Sequence, residues 1–156
     1  MKILIVMCIF ICLAMKIESL SIEERKCVMC LCHAITGCYS RQNCASYSIS
    51  RDYWNLAGRP KVDGLKSYEK CMKDKNCIVE TILRYTGRFE NADVNCDGQF
   101  DCIDRFAIHL FGSNYEYPNF GKTYTERFNS CNKMANSSVA QITNYTIGCL
   151  ARIGRN

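Results

Sequence analysis

Residues 93–104 carry the densest set of side chains able to do chemistry. Asp93, Asn95, Asp97, Gln99, Asp101 and Asp104 fall on slots 1, 3, 5, 7, 9 and 12 of an EF-hand loop. Gly98 takes the sharp-turn slot between them, and Phe100 would point into a core. Alternating oxygen ligands suit a hard cation, so calcium is the ion this spacing suggests. Asp104 is one carbon shorter than the usual bidentate Glu, and Cys96 and Cys102 lie inside the loop. The competing reading is an acidic turn that caps the helix behind it. Other candidates are sparser. Tyr53 and Trp54 are adjacent rings that suit either a sugar face or a core. His33 and His109 are the two histidines, and each reads most simply as a plain surface or packing residue. Lys66 and Ser67 are neighbours, best read as an exposed lysine and a capping serine.

Cysteines set the frame that must position these groups. The cluster Cys27, Cys30 and Cys32 is followed by Cys38, Cys44, Cys71, Cys77, Cys96, Cys102, Cys131 and Cys149. Three pairs, 32 and 38, 71 and 77, 96 and 102, share one spacing that a local bridge can span, but spacing does not set connectivity. A zinc knuckle at 27–32 is the alternative. It is disfavoured by what precedes it: residues 3–15 form an apolar run behind Lys2, and a polar stretch with Ser19 and Ser21 follows. That arrangement reads as a secretory leader over residues 1–21, too short to span a bilayer. Its removal leaves 135 residues with 11 cysteines and a formal charge of +4, from 156 residues and +5. A secreted chain so rich in cysteine is a disulfide scaffold. Eleven is odd, so one thiol stays free or joins a second chain. No later run is long enough to cross a membrane, and nothing beyond the modest charge favours nucleic acid.

The elements read as helices. Residues 22–35 begin with acidic residues at the positive end of the helix dipole and stop at Gly37. Asp52 is placed to cap a short helix over 52–57, which ends at the turn Gly58-Arg59-Pro60. Apolar residues at helical spacing mark 76–86 and 102–111. Further helices are expected at 123–131 and 139–150, and the best strand candidate is 47–50. Residues 132–156 carry two glycosylation sequons, at Asn136 and Asn144, and read as a surface extension. The expected fold is a mainly α, small α+β, disulfide-rich domain.

Four segments in order resemble one family. They are C-V-M-C-L-C-H-A-I-T-G-C (27–38), S-I-S-R-D-Y-W-N-L-A-G-R-P (48–60), C-M-K-D-K-N-C (71–77) and C-D-G-Q-F-D-C-I-D-R-F-A-I-H (96–109). Over about 25–131 the chain is similar to invertebrate-type lysozymes, the family that includes the destabilases. The resemblance implies a lysozyme-like domain over 22–131. It also implies hydrolysis of β-1,4 bonds in bacterial peptidoglycan by two carboxyl groups, one a protonated acid, in defence or digestion. The family needs no cofactor. Its acid, three residues before the fourth cysteine, is Ile35 here, and the shortened loop 39–44 has no Asp or Glu for the second carboxylate. Glu23, Glu24 and Asp52 are poor substitutes, because a small misplacement of a catalytic group is costly in rate. The expectation is therefore a catalytically inactive, glycan-binding copy, with Tyr53 and Trp54 as cleft residues. An active lysozyme with relocated carboxylates, or an isopeptidase like some destabilases, is the alternative. The family framework further implies bridges among Cys27, Cys30, Cys32, Cys38, Cys71, Cys77, Cys96 and Cys131, with 32–38 and 71–77 as the local candidates. Cys44, Cys102 and Cys149 are then left over, and Cys149 reaches back to one of them or links two chains. Ala57 and Thr81 stand where the family has a further bridge.

Overall fold

The computed structural model describes residues 20–39, 44, 48–116, 118–135 and 141–142. The leader, both sequon asparagines and most of the expected 139–150 helix lie outside them. The α-helices whose bounds lie within the described residues are, in order, α1 Ile22–Thr36, α2 Arg51–Leu56, α3 Tyr68–Cys71, α4 Lys75–Gly87, α5 Cys102–Phe111 and α6 Gly121–Met134. A 3-10 turn, Gly112–Asn114, follows α5. An antiparallel β-bridge joins Val62 to Leu65. The expected strand at 47–50 does not form where it can be seen: Ser48 is helical, and its hydroxyl donates to Cys44 O at 2.7 Å. A serine that bonds back to a carbonyl four residues earlier holds a helical turn and not an extended one.

Capping explains where the helices start. Ser21 Oγ accepts from Glu24 N at 3.1 Å, and the Glu24 carboxylate accepts from Ser21 N at 2.8 Å, a reciprocal capping box. Asp74 caps α4 through Cys77 N, and Asp101 with Asp104 forms a second box at α5. The cap of α2 is Ser50, whose hydroxyl accepts from Tyr53 N at 3.0 Å, and not Asp52, which sits exposed in the first turn. Gly37 ends α1 in a left-handed conformation, φ 75°, as its lack of a Cβ permits.

Helix α1 is the spine. It packs against α6, α4 and α5, and presents Val28, Leu31 and Ala34 with three cysteines to the interior. Fully burying a side chain such as Leu31 contributes about 1.5–3 kcal/mol. Phe106 of α5 is completely buried between Phe120 and Phe128, with ring centroids 4.8 and 4.9 Å away. These offset aromatic contacts lock α5 to α6.

The disulfides radiate from the same spine. Cys27 joins α1 to Cys102 of α5, Cys30 joins it to Cys131 of α6, and Cys32 joins it to Cys44. Cys71–Cys77 ties α3 to α4, the local bridge expected from spacing. The other local candidate, Cys32–Cys38, is not made. Cys38 lies past Gly37, exposed and free, while Cys32 faces the core where Cys44 meets it. Thus Cys44 and Cys102, expected as leftovers, are bridged, and the free thiol among the described residues is Cys38. Cys96 is also disulfide-bonded. The bridges at separations of 75 and 101 residues each restrict the unfolded chain by about 4–5 kcal/mol in the loop-entropy picture. Beyond residue 131, Ile142 is buried in the core, and its N–H and C=O both bond the side chain of Asn129. This part of the segment read as a surface extension is therefore packed.

Candidate functional site

The C-terminal turn of α1 carries the position where the family holds its acid. Ile35 is half-buried there and packs against the core. Two residues to either side, a cation and a ring meet the helix end. The guanidinium of Arg127 lies 3.4 Å from the point where a Cβ on Gly37 would sit. His33 stacks on Tyr39 with centroids 4.1 Å apart, and burial, then the Arg127 charge, lower its pKa.

Two of the alternative acids are engaged in helix α1. Glu24 is held in the capping box, and Glu23 pairs with Lys26 at 3.0 Å. Ser67 caps α3, accepting from Lys70 N and donating to Glu69. Its hydroxyl is thus committed to that turn and makes no dyad with Lys66 among the described contacts. Ala57 is buried at the end of α2 and Thr81 on α4, and these two helices pack together. Thr81 satisfies its hydroxyl on Cys77 O at 2.7 Å, so the site of the absent family bridge is filled without a polar cost.

Tyr53 and Trp54 are interior residues, 9% and 4% exposed, rather than rings on a cleft wall. Trp54 Nε1 donates to Pro60 O at 3.3 Å, and Tyr53 stacks on Tyr85. The Tyr53 hydroxyl lies 2.8 Å from Nδ1 of His109. Burial raises the Tyr53 pKa well above its usual value and lowers that of His109 to about 4. Tyrosine therefore keeps its proton and the imidazole is neutral; with the tyrosine as donor to Nδ1, the imidazole proton sits on Nε2, which faces Cys44 Sγ at 3.9 Å. This is a satisfied core pair. Sequence alone left both histidines unplaced; the tertiary fold buries one and stacks the other.

The 93–104 loop turns its carboxylates onto its own backbone. Asp93 accepts from the N–H groups of Asp97 and Gly98, both at 3.0 Å, and Asp97 accepts from Gln99 N at 2.8 Å. Asn95 donates to Asp97, and Asp101 accepts from Ile103 N. Asp104 is buried and accepts from Val94 N and Asp101 N, each at 2.7 Å. Burial pushes its pKa up to about 7, against those two hydrogen bonds. Phe100 is half-buried beneath the guanidinium of Arg105, at 4.6 Å. No group of three His, Cys, Asp or Glu that could hold a metal ion is found among the described residues. In this arrangement the carboxylates cap α5 and brace the turn ahead of it.

A small helical domain stapled to one central helix by disulfides, with a lysozyme-like cysteine framework, is the class this arrangement defines. A family model for destabilases matches residues 24–131, and the chain belongs to that family. No curated protein and no solved structure matches it significantly. Among the described residues no helix is long and apolar enough to cross a membrane.

Proposed function

We propose that this chain is a secreted glycan-binding member of the destabilase family that does not hydrolyse peptidoglycan. The observation that carries the reading is Ile35, an apolar, core-packed side chain at the position of the family's proton donor. The absence of any Asp or Glu in the sequence of loop 39–44 supports it from the other side of the reaction. Hydrolysis of this bond needs both carboxyl groups at fixed separation. Secretion is supported by the leader, the two sequons at Asn136 and Asn144, and the dense bridging, which persists in oxidising compartments. A bacterial wall glycan is the partner class, with defence as the setting. The isopeptidase alternative draws no support from Ser67, whose hydroxyl is a helix cap.

The test is a cell-wall lysis assay run beside a pull-down on insoluble peptidoglycan. Binding with lysis at background is expected. Ile35→Glu alone should not restore lysis, since the second carboxylate is missing. Robust lysis by the unmodified protein would falsify the reading.

A further inference from the structure

A pocket of about 360 Å³ opens between the Gly58–Lys61 turn, Lys66 and one face of α4. Its walls bring together four cations, Arg59, Lys61, Lys66 and Arg84, with a single carboxylate, Glu80, which is ion-paired to Arg84. Of the chain's formal charge of +5, the lining alone accounts for +3. Arg59, Lys61 and Lys66 are exposed and have no ion pair among the described residues.

The backbone works to keep these cations together. Gly58 and Arg59 are both left-handed, at φ 81° and 56°. Glycine tolerates this, whereas the arginine bears local strain. The turn is nonetheless held firmly: Gly58 N donates to Asn55 O, Arg59 N to Trp54 O, and the buried Trp54 indole to Pro60 O. Next, the left-handed pair Asp63-Gly64, φ 51° and 76°, closes a tight hairpin at the Val62–Leu65 bridge. Lys61 and Lys66 flank that bridge on its two sides, and both line the pocket. A strained arginine, two flanking lysines and a second arginine around one concavity form an arrangement that an anion would relieve.

We propose that this pocket binds a phosphate group carried on a sugar or polyol. Two guanidinium forks match the oxygens of a phosphate bidentately, and two ammonium groups supply point charge. The volume suits a small polar ligand and not a bare ion. A phosphate brings more acceptor oxygens and more charge than a carboxylate, so it uses four cations more fully. The inference deepens the glycan-binding reading, on which its biological setting rests: the source would be the polyol-phosphate polymers of bacterial walls or a free sugar phosphate.

The decisive variant is Arg59→Gly. Glycine suits φ 56°, so the variant should fold at least as well while losing one guanidinium. Glycerol phosphate is titrated into the full mature protein and followed by amide NMR shifts at residues 58–61 and 66. Shifts confined to those residues, and binding about tenfold weaker in Arg59→Gly and in Lys61→Ala plus Lys66→Ala, are expected. Absent shifts, unchanged affinity in both variants, or equal binding of a matched carboxylate would overturn the assignment. Pull-downs on intact walls and on walls stripped of phosphate polymer separate the two sources and the two readings. Preference for intact walls, lost in Arg59→Gly, places the ligand on the wall. Shifts with glycerol phosphate but no preference for intact walls point to a free sugar phosphate. Equal retention on both walls with no shifts sinks the pocket and leaves glycan binding standing. Shifts without retention on either wall sink glycan binding and leave the pocket standing.

Discussion

Acid should destabilise this protein through one buried imidazole, and the size of the effect can be worked from the structure. His109 is 6% exposed in the last turn of α5. The helix dipole there favours a charged imidazole by at most about 2 kcal/mol. Burial opposes it and wins, holding the pKa at about 4 against an unfolded value of 6.5. A base whose folded pKa is depressed contributes stability that is complete above pH 6.5. That stability is lost progressively as pH falls from 6.5 towards 4, because only the unfolded chain takes up the proton readily. At about 1.36 kcal/mol per pH unit, the gap corresponds to about 3 kcal/mol. Asp104 works in the opposite direction over nearly the same window. Its folded pKa is raised to about 7, so protonation below that value favours the folded state. The bare pH profile of the parent therefore mixes the two, and the readout must be a difference. Urea unfolding at pH 7.5 and pH 4.0 is compared for the parent and for His109→Gln, whose amide can still accept from Tyr53. The parent should lose about 3 kcal/mol more than the variant between the two pH values. Tyr53→Phe should instead cost about 1–3 kcal/mol at pH 7.5 by leaving a buried acceptor unpaired. It should keep the parent's pH dependence, because the imidazole stays buried. Identical pH dependence in the parent and in His109→Gln would refute the reasoning.

Three further outcomes are expected. Alkylation of the denatured, unreduced mature protein should label one thiol, Cys38, and Cys38→Ser should abolish any disulfide-linked dimer without lowering Tm; labelling at Cys44 or Cys102 would contradict the bridges. In a chain beginning at Leu20, Ser21→Ala should lower stability by about 1 kcal/mol in urea unfolding, because it removes the capping box of α1; an unchanged midpoint would contradict that role. Melting with calcium and with chelator should coincide for the parent. Asp93→Ala should melt lower in both, since its carboxylate holds two backbone amides; a calcium-dependent rise in the parent that is lost in Asp93→Ala plus Asp97→Ala would restore the cation loop.

How far the sequence determines this protein differs from one feature to the next. The helices over 22–36, 75–87 and 102–111 are legible because their signals are local: caps, apolar spacing and a terminating glycine. The family is legible because cysteine and Tyr-Trp spacings survive without reference to folding, and so is the missing acid at Ile35. Connectivity was not legible. Cys38 and Cys44 differ by six positions, and only the direction in which α1 turns Cys32 decides which of them it meets. The same holds for side chains whose role depends on burial. Tyr53 and Trp54 read equally as cleft or core until α2 is laid against α4. The 93–104 spacing specifies which residues carry oxygen. It does not specify whether those oxygens face an ion or the loop's own amides, and here the amides are nearer. The cationic pocket is the clearest case of a tertiary decision. Its residues are scattered from 58 to 84, and no periodicity links Arg59 to Arg84. The Asp63-Gly64 turn hints that Lys61 and Lys66 flank one bridge, but a concavity exists only once α4 supplies the far wall. Local conformational energies are written in neighbouring residues, whereas a cavity is a relation between surfaces that the chain brings together only by folding.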